Sequence, residues 1–288
     1  MSYKKVYNYT LTVNSSNVVQ NGNNNTFKYN FINGNLTIPD EAVISISSAT
    51  VPYSFRNITS AYNNNKFIIY FPFLATYNTY NITLPDGFYN GASDINYYIQ
   101  QFCITNGLYL VNASGQNVYY LSLQTNINYY AVQIIATLVP TSLPVGYTQP
   151  LNWIGYPTTT ACPGLGVLNN FGSIIGYTAG NYPSTFIGTT NLSYLSNTVP
   201  NTTPVNSLTI RCDLCNNPVS FPSDIIDSFN INSTYGTNIL YQPTFEKIVS
   251  LRAGTYSNFL IYLCDQNNNL INALDPNILI TLRISYKK

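Results

Sequence analysis

The sequence predicts an all-β sandwich, because apolar and polar residues alternate with a period of two and turn residues separate the alternating runs. Residues 278–286, ILITLRISY, place Ile280 and Leu282 on one face and Thr281 and Arg283 on the other. Such alternation is typical of a strand with one buried face. Sixteen glycines, sixteen prolines and many asparagines punctuate the chain, as expected for short strands in a sandwich.

Strand candidates are rich in Tyr, Ile, Val and Thr, the residue types that favour pleated, half-buried surfaces. They are residues 6–13, 26–32, 43–50, 66–71, 117–123, 131–138, 208–214, 245–251, 256–264 and 278–286. The chain of 288 residues is long enough for one large domain or two modest ones.

One segment departs from the strand period. In residues 93–106, SDINYYIQQFCITN, apolar side chains recur from Ile95 at the i, i+3, i+4, i+7, i+8 spacing of an amphipathic helix. Ser93 or Asp94 is expected to cap its start, and Gly107 to end it. The proline-rich region from 140 to 206 predicts long ordered loops, with a short helical turn at Phe171–Gly176.

Charge is scarce: charged residues make up 7% of the chain and the net charge is +1, against roughly 25% charged residues in ordinary soluble domains. This argues against a basic nucleic-acid surface. A near-neutral surface also tends to associate, so we favour a surface that neighbours cover over one simply coated with Asn, Ser and Thr.

The chain has no histidine, which excludes Ser-His-Asp and Cys-His catalysis and disfavours a typical zinc or iron site. Among the acids, Asp224 and Asp227 form the least trivial pair, and we favour a surface turn or a helix start over a hydrolase pair for them. Gly164-x-Gly166 lacks the context of a dinucleotide site. The sequence therefore predicts neither an enzyme nor a cofactor.

Five cysteines are irregularly spaced, which disfavours a complete disulfide framework. They are Cys103, Cys162, Cys212, Cys215 and Cys264. Cys212 and Cys215 have CxxC spacing, but without further ligands we favour packed thiols over a metal or redox pair.

The N-terminal residues MSYKKVYNYTLTVNSS lack the apolar region of a signal peptide, and no window is long and apolar enough to span a membrane. We expect a chain made and used inside a cell, or released on lysis. Ten N-x-S/T sequons occur, near the number that 42 asparagines and 54 serines and threonines produce by chance.

Four blocks resemble passages of one family in the same order. VPYSFRNITSAYNNNKFIIY at 51–70 looks like the "PYSxxNI…YNNxxF" passage of penton proteins from virophages and related small double-stranded DNA viruses. TLPDGFYNGASDINYYIQQFCITNG at 83–107 and FGSIIGYTAGNYP at 171–183 resemble later passages. LRAGTYSNFLIYLCDQNNNLINALDPNILITLRI at 251–284 resembles the ending of such a protein.

The resemblance to Sputnik-like penton proteins implies a single jelly-roll vertex protein. Such proteins form homopentamers at the fivefold vertices of an icosahedral capsid and contact the surrounding major capsid protein. The expected location is the virion vertex, after assembly inside the infected cell. The implied core is residues 1–75 and 205–288, and residues 76–204 are expected to supply the helix and a β-rich and loop insertion. No catalytic residue, cofactor or metal is implied.

Candidate contact residues follow from the same block and from the loop region. Tyr53 and Phe55, with Arg56, are predicted to anchor a loop or to meet a neighbouring subunit. The alternative function is a minor virion protein or a lectin-like vertex protein that binds a host or host-virus receptor. In that alternative, Trp153 and Tyr156 are expected to be exposed stacking groups.

Overall fold

The computed structural model describes residues 6–19, 23–185 and 190–287. The chain divides into two compact units. Unit 1 combines Met1–Phe55 with Val205–Lys288, and unit 2 is Arg56–Pro204.

Three consecutive segments of the described chain carry the helices and strands. The first contains β1 (Val6–Val13), β2 (Thr26–Asn30), β3 (Leu36–Ile38) and β4 (Val43–Pro52). The second contains β5 (Lys66–Phe73), β6 (Thr76–Thr83), α1 (Ala92–Thr105), β7 (Tyr109–Val111), β8 (Asn117–Tyr119), β9 (Leu121–Asn126), β10 (Ala131–Ala136), β11 (Gly164–Val167), α2 (Asn169–Ile175), β12 (Gly180–Tyr182) and β13 (Leu192–Leu195). The third contains β14 (Ser207–Cys212), β15 (Ile225–Asn230), β16 (Asn238–Tyr241), β17 (Val249–Ser250), β18 (Gly254–Tyr256), β19 (Asn258–Asp265) and β20 (Leu279–Lys287).

Unit 1 has the strand order of a jelly roll. One antiparallel sheet runs β1–β20–β4–β16, with the short β17 also paired to β4, and the other runs β15–β14–β19–β2. Counted in chain order, the eight long strands of the two sheets follow the orders 1-8-3-6 and 5-4-7-2. This double Greek-key arrangement confirms the single jelly roll. Residues 56–204 enter the chain between the third and fourth of these strands.

The predicted alternation places the apolar residues of the first sheet inside unit 1. Val13 lies opposite Ile280, and Leu11 lies opposite Leu282; all four side chains are buried. Burying a side chain of this size stabilises the fold by about 1.5–3 kcal/mol. The register therefore depends on these pairs, because a slip of one residue would turn every one of them to the opposite face.

Unit 2 has its own core. It consists of a four-stranded sheet, β12–β11–β5–β6, a three-stranded sheet, β13–β10–β9, the hairpin β7–β8 and two helices. Residues of both sheets and both helices pack in one hydrophobic cluster. Strand β5 forms ladders with β6 and β11. Residues 66–73 therefore belong to unit 2. The first division of the chain falls at Phe55 and not after residue 75, where it was expected.

Three local expectations need correction. The region from 140 to 206 is not only loop, since it contains β11, α2, β12 and β13. Residues 245–251 yield only the two-residue β17, because the preceding residues leave the ladder. Helix α1 starts after Gly91 without a side-chain cap; the Asp94 carboxylate instead accepts from the Asn90 N–H at 2.7 Å.

The helices end as glycine punctuation predicts. Gly107 follows α1 with φ +65° and Gly176 follows α2 with φ +77°, both in the left-handed region that glycine tolerates. A Cβ at Gly172 would lie 2.2 Å from the Tyr177 carbonyl oxygen, so α2 also needs glycine inside it. Neither helix of the described chain has the length and apolar character needed to cross a bilayer.

Replacing Phe171 by alanine should destabilise unit 2 strongly. The ring is fully buried and stacks on Phe67 with centroids 4.8 Å apart. We expect the free energy of unfolding to fall by about 3–5 kcal/mol, measured by denaturant titration. The control is Tyr129→Ala at an exposed turn, which should change it by less than about 0.5 kcal/mol. Equal effects of the two changes would contradict this account of the core.

Candidate functional site

Tyr53 and Phe55 are buried in unit 1 and fix the chain that follows β4. Their ring centroids lie 4.6 Å apart, and the edge of Tyr235 meets Tyr53 at 5.6 Å. The Tyr53 N–H donates to the Thr237 carbonyl at 2.9 Å, and the Gly236 N–H donates to the Tyr53 carbonyl at 3.0 Å. Burial, followed by the nearby Tyr235, raises the pKa of Tyr53. Both rings therefore pack within their own unit.

Arg56 is half-buried and begins unit 2, and the asparagines after it form a polar core. Asn57 is only 3% exposed. Its amide nitrogen donates to the carbonyls of Tyr89 at 2.8 Å and Thr202 at 2.6 Å. Its amide oxygen accepts from the Tyr89 N–H at 2.9 Å. Every polar atom of this side chain is thus used inside the fold, which leaves the Asn57 sequon inaccessible.

Asn64 and Asn65 extend this asparagine cluster, which we define as Asn57, Asn64 and Asn65. Asn64 donates to the Asn57 carbonyl and accepts from the Thr59 N–H, both at 2.9 Å. Asn65 donates to the Leu84 carbonyl at 3.1 Å, while its Oδ1 has no hydrogen-bond partner among the described residues. The cluster replaces regular secondary structure with side-chain hydrogen bonds, so the run of asparagines is a folding element of unit 2.

The predicted exposure of Trp153 and Tyr156 is not what the structure shows. Both are half-buried against the core of unit 2. The Trp153 ring meets the edge of Phe71 at 6.2 Å and lies 5.2 Å from Tyr156, whose hydroxyl donates to Gln149 at 2.9 Å. Rings held in this way pack the loop onto the core, because their large apolar area gains more from burial than from exposure.

Each carboxylate of the pair Asp224 and Asp227 is bound to a basic side chain. Asp224 accepts two hydrogen bonds from Arg211, each 2.9 Å long. Asp227 is buried and is bonded to Lys247 and to the Tyr241 hydroxyl. Burial and then this carboxylate raise the pKa of Tyr241. Two carboxylates engaged separately by charge-assisted bonds serve the fold. Asp224 lies in a turn, as expected, but the expected surface position is wrong for Asp227, which is 2% exposed and lies within β15.

All five cysteines are buried free thiols. The Cys215 N–H donates to the Cys212 carbonyl at 3.0 Å, so the CxxC stretch is a turn after β14. A hydrogen bond with Cys212 and burial both raise the pKa of Cys215. This is the reverse of the lowered pKa that makes a thiol reactive. Among the described residues, no three His, Cys, Asp or Glu side chains are grouped to bind a metal.

Residues 242–248, which we call the edge loop, run from β16 to β17, both of which pair with β4 in the first sheet. Glu246 accepts from Ser45 at 2.6 Å and Ser47 at 2.9 Å, and pairs with Arg283 at 3.2 Å. These three residues lie on β4 and β20 of the first sheet. The adjacent Lys247 pairs with Asp227 on β15 of the second sheet. The edge loop therefore bonds to both sheets of unit 1.

Large apolar side chains are exposed on and beside the edge loop. Phe245 is 86% exposed and Ile248 is 69% exposed. Leu240 and Leu279 are also exposed, and both lie opposite Thr50 in the ladders of β16 and β20 with β4. Phe245 and Ile248, both on the edge loop, are what we call the edge patch. Sequence reasoning missed it because residues 245–251 alternate like a strand.

A second signal was also overlooked: no charged residue occurs between Asp94 and Arg211. Unit 2 contains only Arg56, Lys66, Asp86 and Asp94. The ion pairs found among the described residues all lie in unit 1. The surface of unit 2 is consequently almost free of charge, and it exposes aliphatic side chains such as Val145 and Leu151 beside amides, hydroxyls and aromatic rings.

Replacing Asn57 by alanine should cost about 2–4 kcal/mol of unfolding free energy, because it leaves part-buried backbone groups of Tyr89 and Thr202 without their partner. Denaturant unfolding measures the loss. Asn81→Ala is a matched control, since Asn81 begins an identical Asn-Ile-Thr tripeptide but is exposed on β6. A similar, small effect of both substitutions would contradict the structural role of Asn57.

Glu246 should make stability depend on acid. Burial raises the pKa of its carboxyl, but hydrogen bonds from Ser45 and Ser47 and the charge of Arg283 outweigh burial and lower the pKa below its ordinary value. A lowered folded-state pKa stabilises the fold above the ordinary pKa, and this contribution disappears as the pH falls through the folded-state value.

We therefore expect Glu246→Gln to lower the unfolding free energy by about 1 kcal/mol at neutral pH. The deficit should vanish as the solution is acidified below the folded-state pKa. Glu41→Gln, at the only other glutamate and exposed, is the control. Denaturant titrations at a series of pH values make the comparison. A deficit that stays constant with pH would refute the role of the Glu246 charge.

Comparison with known proteins gives a weak structural likeness. No family model and no curated protein matches the chain. The crystal structure of the selenomethionine-labelled mavirus penton protein superposes with a TM-score of 0.42 and 10% identity, covering 99% of both chains. A chain of the 3.5 Å cryo-electron microscopy structure of the Sputnik virophage superposes with a TM-score of 0.40 and 16% identity, covering 98% of both chains. Scores this low do not establish a common fold, so the jelly roll rests on the strand order of unit 1 itself.

Proposed function

We propose that this chain is a structural capsid protein of the penton type, which forms homopentamers at the fivefold vertices of an icosahedral double-stranded DNA virus. The observation that carries the proposal is the jelly-roll order of unit 1, with unit 2 inserted between its third and fourth strands. The four sequence blocks that resemble virophage pentons support it. We further propose that unit 1 is the capsid roll and that residues 76–204 lie within the outer insertion.

The jelly roll by itself does not decide the function, because capsid proteins, lectins and cupins share it. The site chemistry favours the structural role. Asp224 and Asp227 are bound by cations, and the thiol of Cys215 is kept protonated. Trp153 and Tyr156 pack inward, which weakens a lectin site at that loop. No catalytic residue or cofactor belongs to this proposal.

The surface supports assembly. A protein with 7% charged residues and an exposed edge patch has little to keep copies apart and apolar area to bury between them. A ring of five uses heterologous contacts, in which one surface meets a different surface of the next copy. We assign the edge patch to this copy-to-copy contact, with the major capsid protein as the further partner around the vertex in the virion.

The test is a native mass measurement of the purified protein, combined with electron microscopy of the particle. Five copies in solution and density for this chain at the vertices are the expected results. A strict monomer that is absent from the vertices would overturn the proposal.

Charge introduced at the edge patch should weaken the pentamer. We expect Phe245→Asp combined with Ile248→Asp to raise the dissociation constant at least 100-fold, because both apolar contacts are lost and repelling charges are added. Sedimentation at a series of concentrations measures it. Ile32→Asp, at an equally exposed residue of unit 1, is the control and should leave assembly unchanged. Normal assembly of the double variant would exclude the edge patch from the interface.

A further inference from the structure

Unit 2 contains a cavity of ≈ 340 Å³ beside the start of α1. Its lining includes Asn90 and Gly91 before the helix, Thr125 and Asn126 at the end of β9, and Tyr130 before β10. Pro200 and Thr202 complete another wall. The volume lies at the lower end of the range for small-molecule sites, about 300–1,000 Å³.

The lining is uncharged. Amide and hydroxyl groups come from Asn90, Asn126, Thr125 and Thr202, and the remaining surface is largely apolar. None of the described residues that line the cavity is Lys, Arg, Asp or Glu. An anionic ligand such as a phosphate would find no compensating charge there, and an acidic peptide would be equally unfavourable. A neutral ligand with several hydroxyls and an apolar face fits these groups.

Tyr130 has a conformation that packing does not explain. It is 74% exposed and has φ +48°, in the left-handed region where a bulky residue is uncommon. Glycine or asparagine would form this turn between β9 and β10 without the same strain. A tyrosine lines the cavity at this position in spite of the strained backbone. Backbone strain of this kind concentrates at functional sites.

Tyrosine is well suited to such a rim, because it offers a rigid apolar ring and one hydroxyl at a small cost in conformational entropy. The ring can cover the C–H face of a pyranose while the amides bond to its hydroxyls. We propose that this cavity of unit 2 binds a neutral saccharide, with Tyr130 as the stacking group and Asn126 and Thr202 beside the sugar hydroxyls. This site differs from the Trp153 loop and does not depend on the pentamer.

The first experiment screens the purified protein against an array of neutral and acidic oligosaccharides, and titrates the binders by calorimetry as free sugars. Binding of neutral saccharides is the expected result. If only acidic glycans or peptides bind, or nothing binds, the proposal is wrong. Comparing a free neutral oligosaccharide with the same glycan on a glycoprotein then distinguishes a soluble ligand from a surface receptor.

Two substitutions locate the site. Tyr130→Asn should weaken binding at least 10-fold while leaving the melting temperature equal or higher, since asparagine tolerates the left-handed backbone. Thr202→Val should weaken binding several-fold with little change in shape. Tyr129→Asn is the matched control, because Tyr129 is exposed in the same turn but does not line the cavity. Unchanged binding in both site variants, or equal losses in the control, would overturn the assignment.

The outcome is separable from that of the proposed capsid role. Saccharide binding is measured on the purified chain whatever its copy number, and copy number is measured without sugar. A pentamer that binds no neutral saccharide would refute only the cavity assignment. A monomer that binds one would refute only the penton proposal.

Discussion

The pairing of the last strand with the first is the constraint on which unit 1 depends. Strand β20 lies between β1 and β4 and forms a ladder with each. One sheet therefore contains the first, the third and the last of the eight long strands. In the chain, all of unit 2 lies between β4 and β20. Contacts so distant in sequence carry a large loop-closure cost, which the buried Ile and Leu pairs must offset.

The sequence predicted this sheet well because one of its faces is buried and the other is not. In residues 278–286 the periodicity is set by that difference, and the structure places Ile280, Leu282 and Ile284 inside as expected. The strand prediction was wrong for most of residues 245–251, because only Val249–Ser250 is a strand and the preceding residues form a loop. Glu246 and Lys247 hold that loop to two sheets. Ser45 lies 201 residues before Glu246 in the chain, and no local pattern encodes so distant a partner.

The candidate sites were harder to predict, because exposure is decided by packing. Trp153 and Tyr156 lie in a proline-rich loop, which suggested exposure, yet the loop folds back onto Phe71. Asparagine is mostly exposed in proteins, yet Asn57 and Asn65, which follow Arg56, are among the most buried polar residues described. Asparagine carries both donor and acceptor, so it satisfies backbone groups that no strand reaches.

The two units solve the problem of low charge in different ways. In unit 1, the ion pairs lie on β14 and on the edge loop. Those of Glu246 and Lys247 bind the edge loop to both sheets, while Phe245 and Ile248 remain exposed. Unit 2 has almost no charge to pair, so hydrogen-bonded amides take that role inside and outside its core. A surface of amides and aromatic rings repels neutral partners little and attracts ionic ones weakly. The same composition therefore suits both a contact between identical copies and a cavity for an uncharged, hydroxyl-rich ligand.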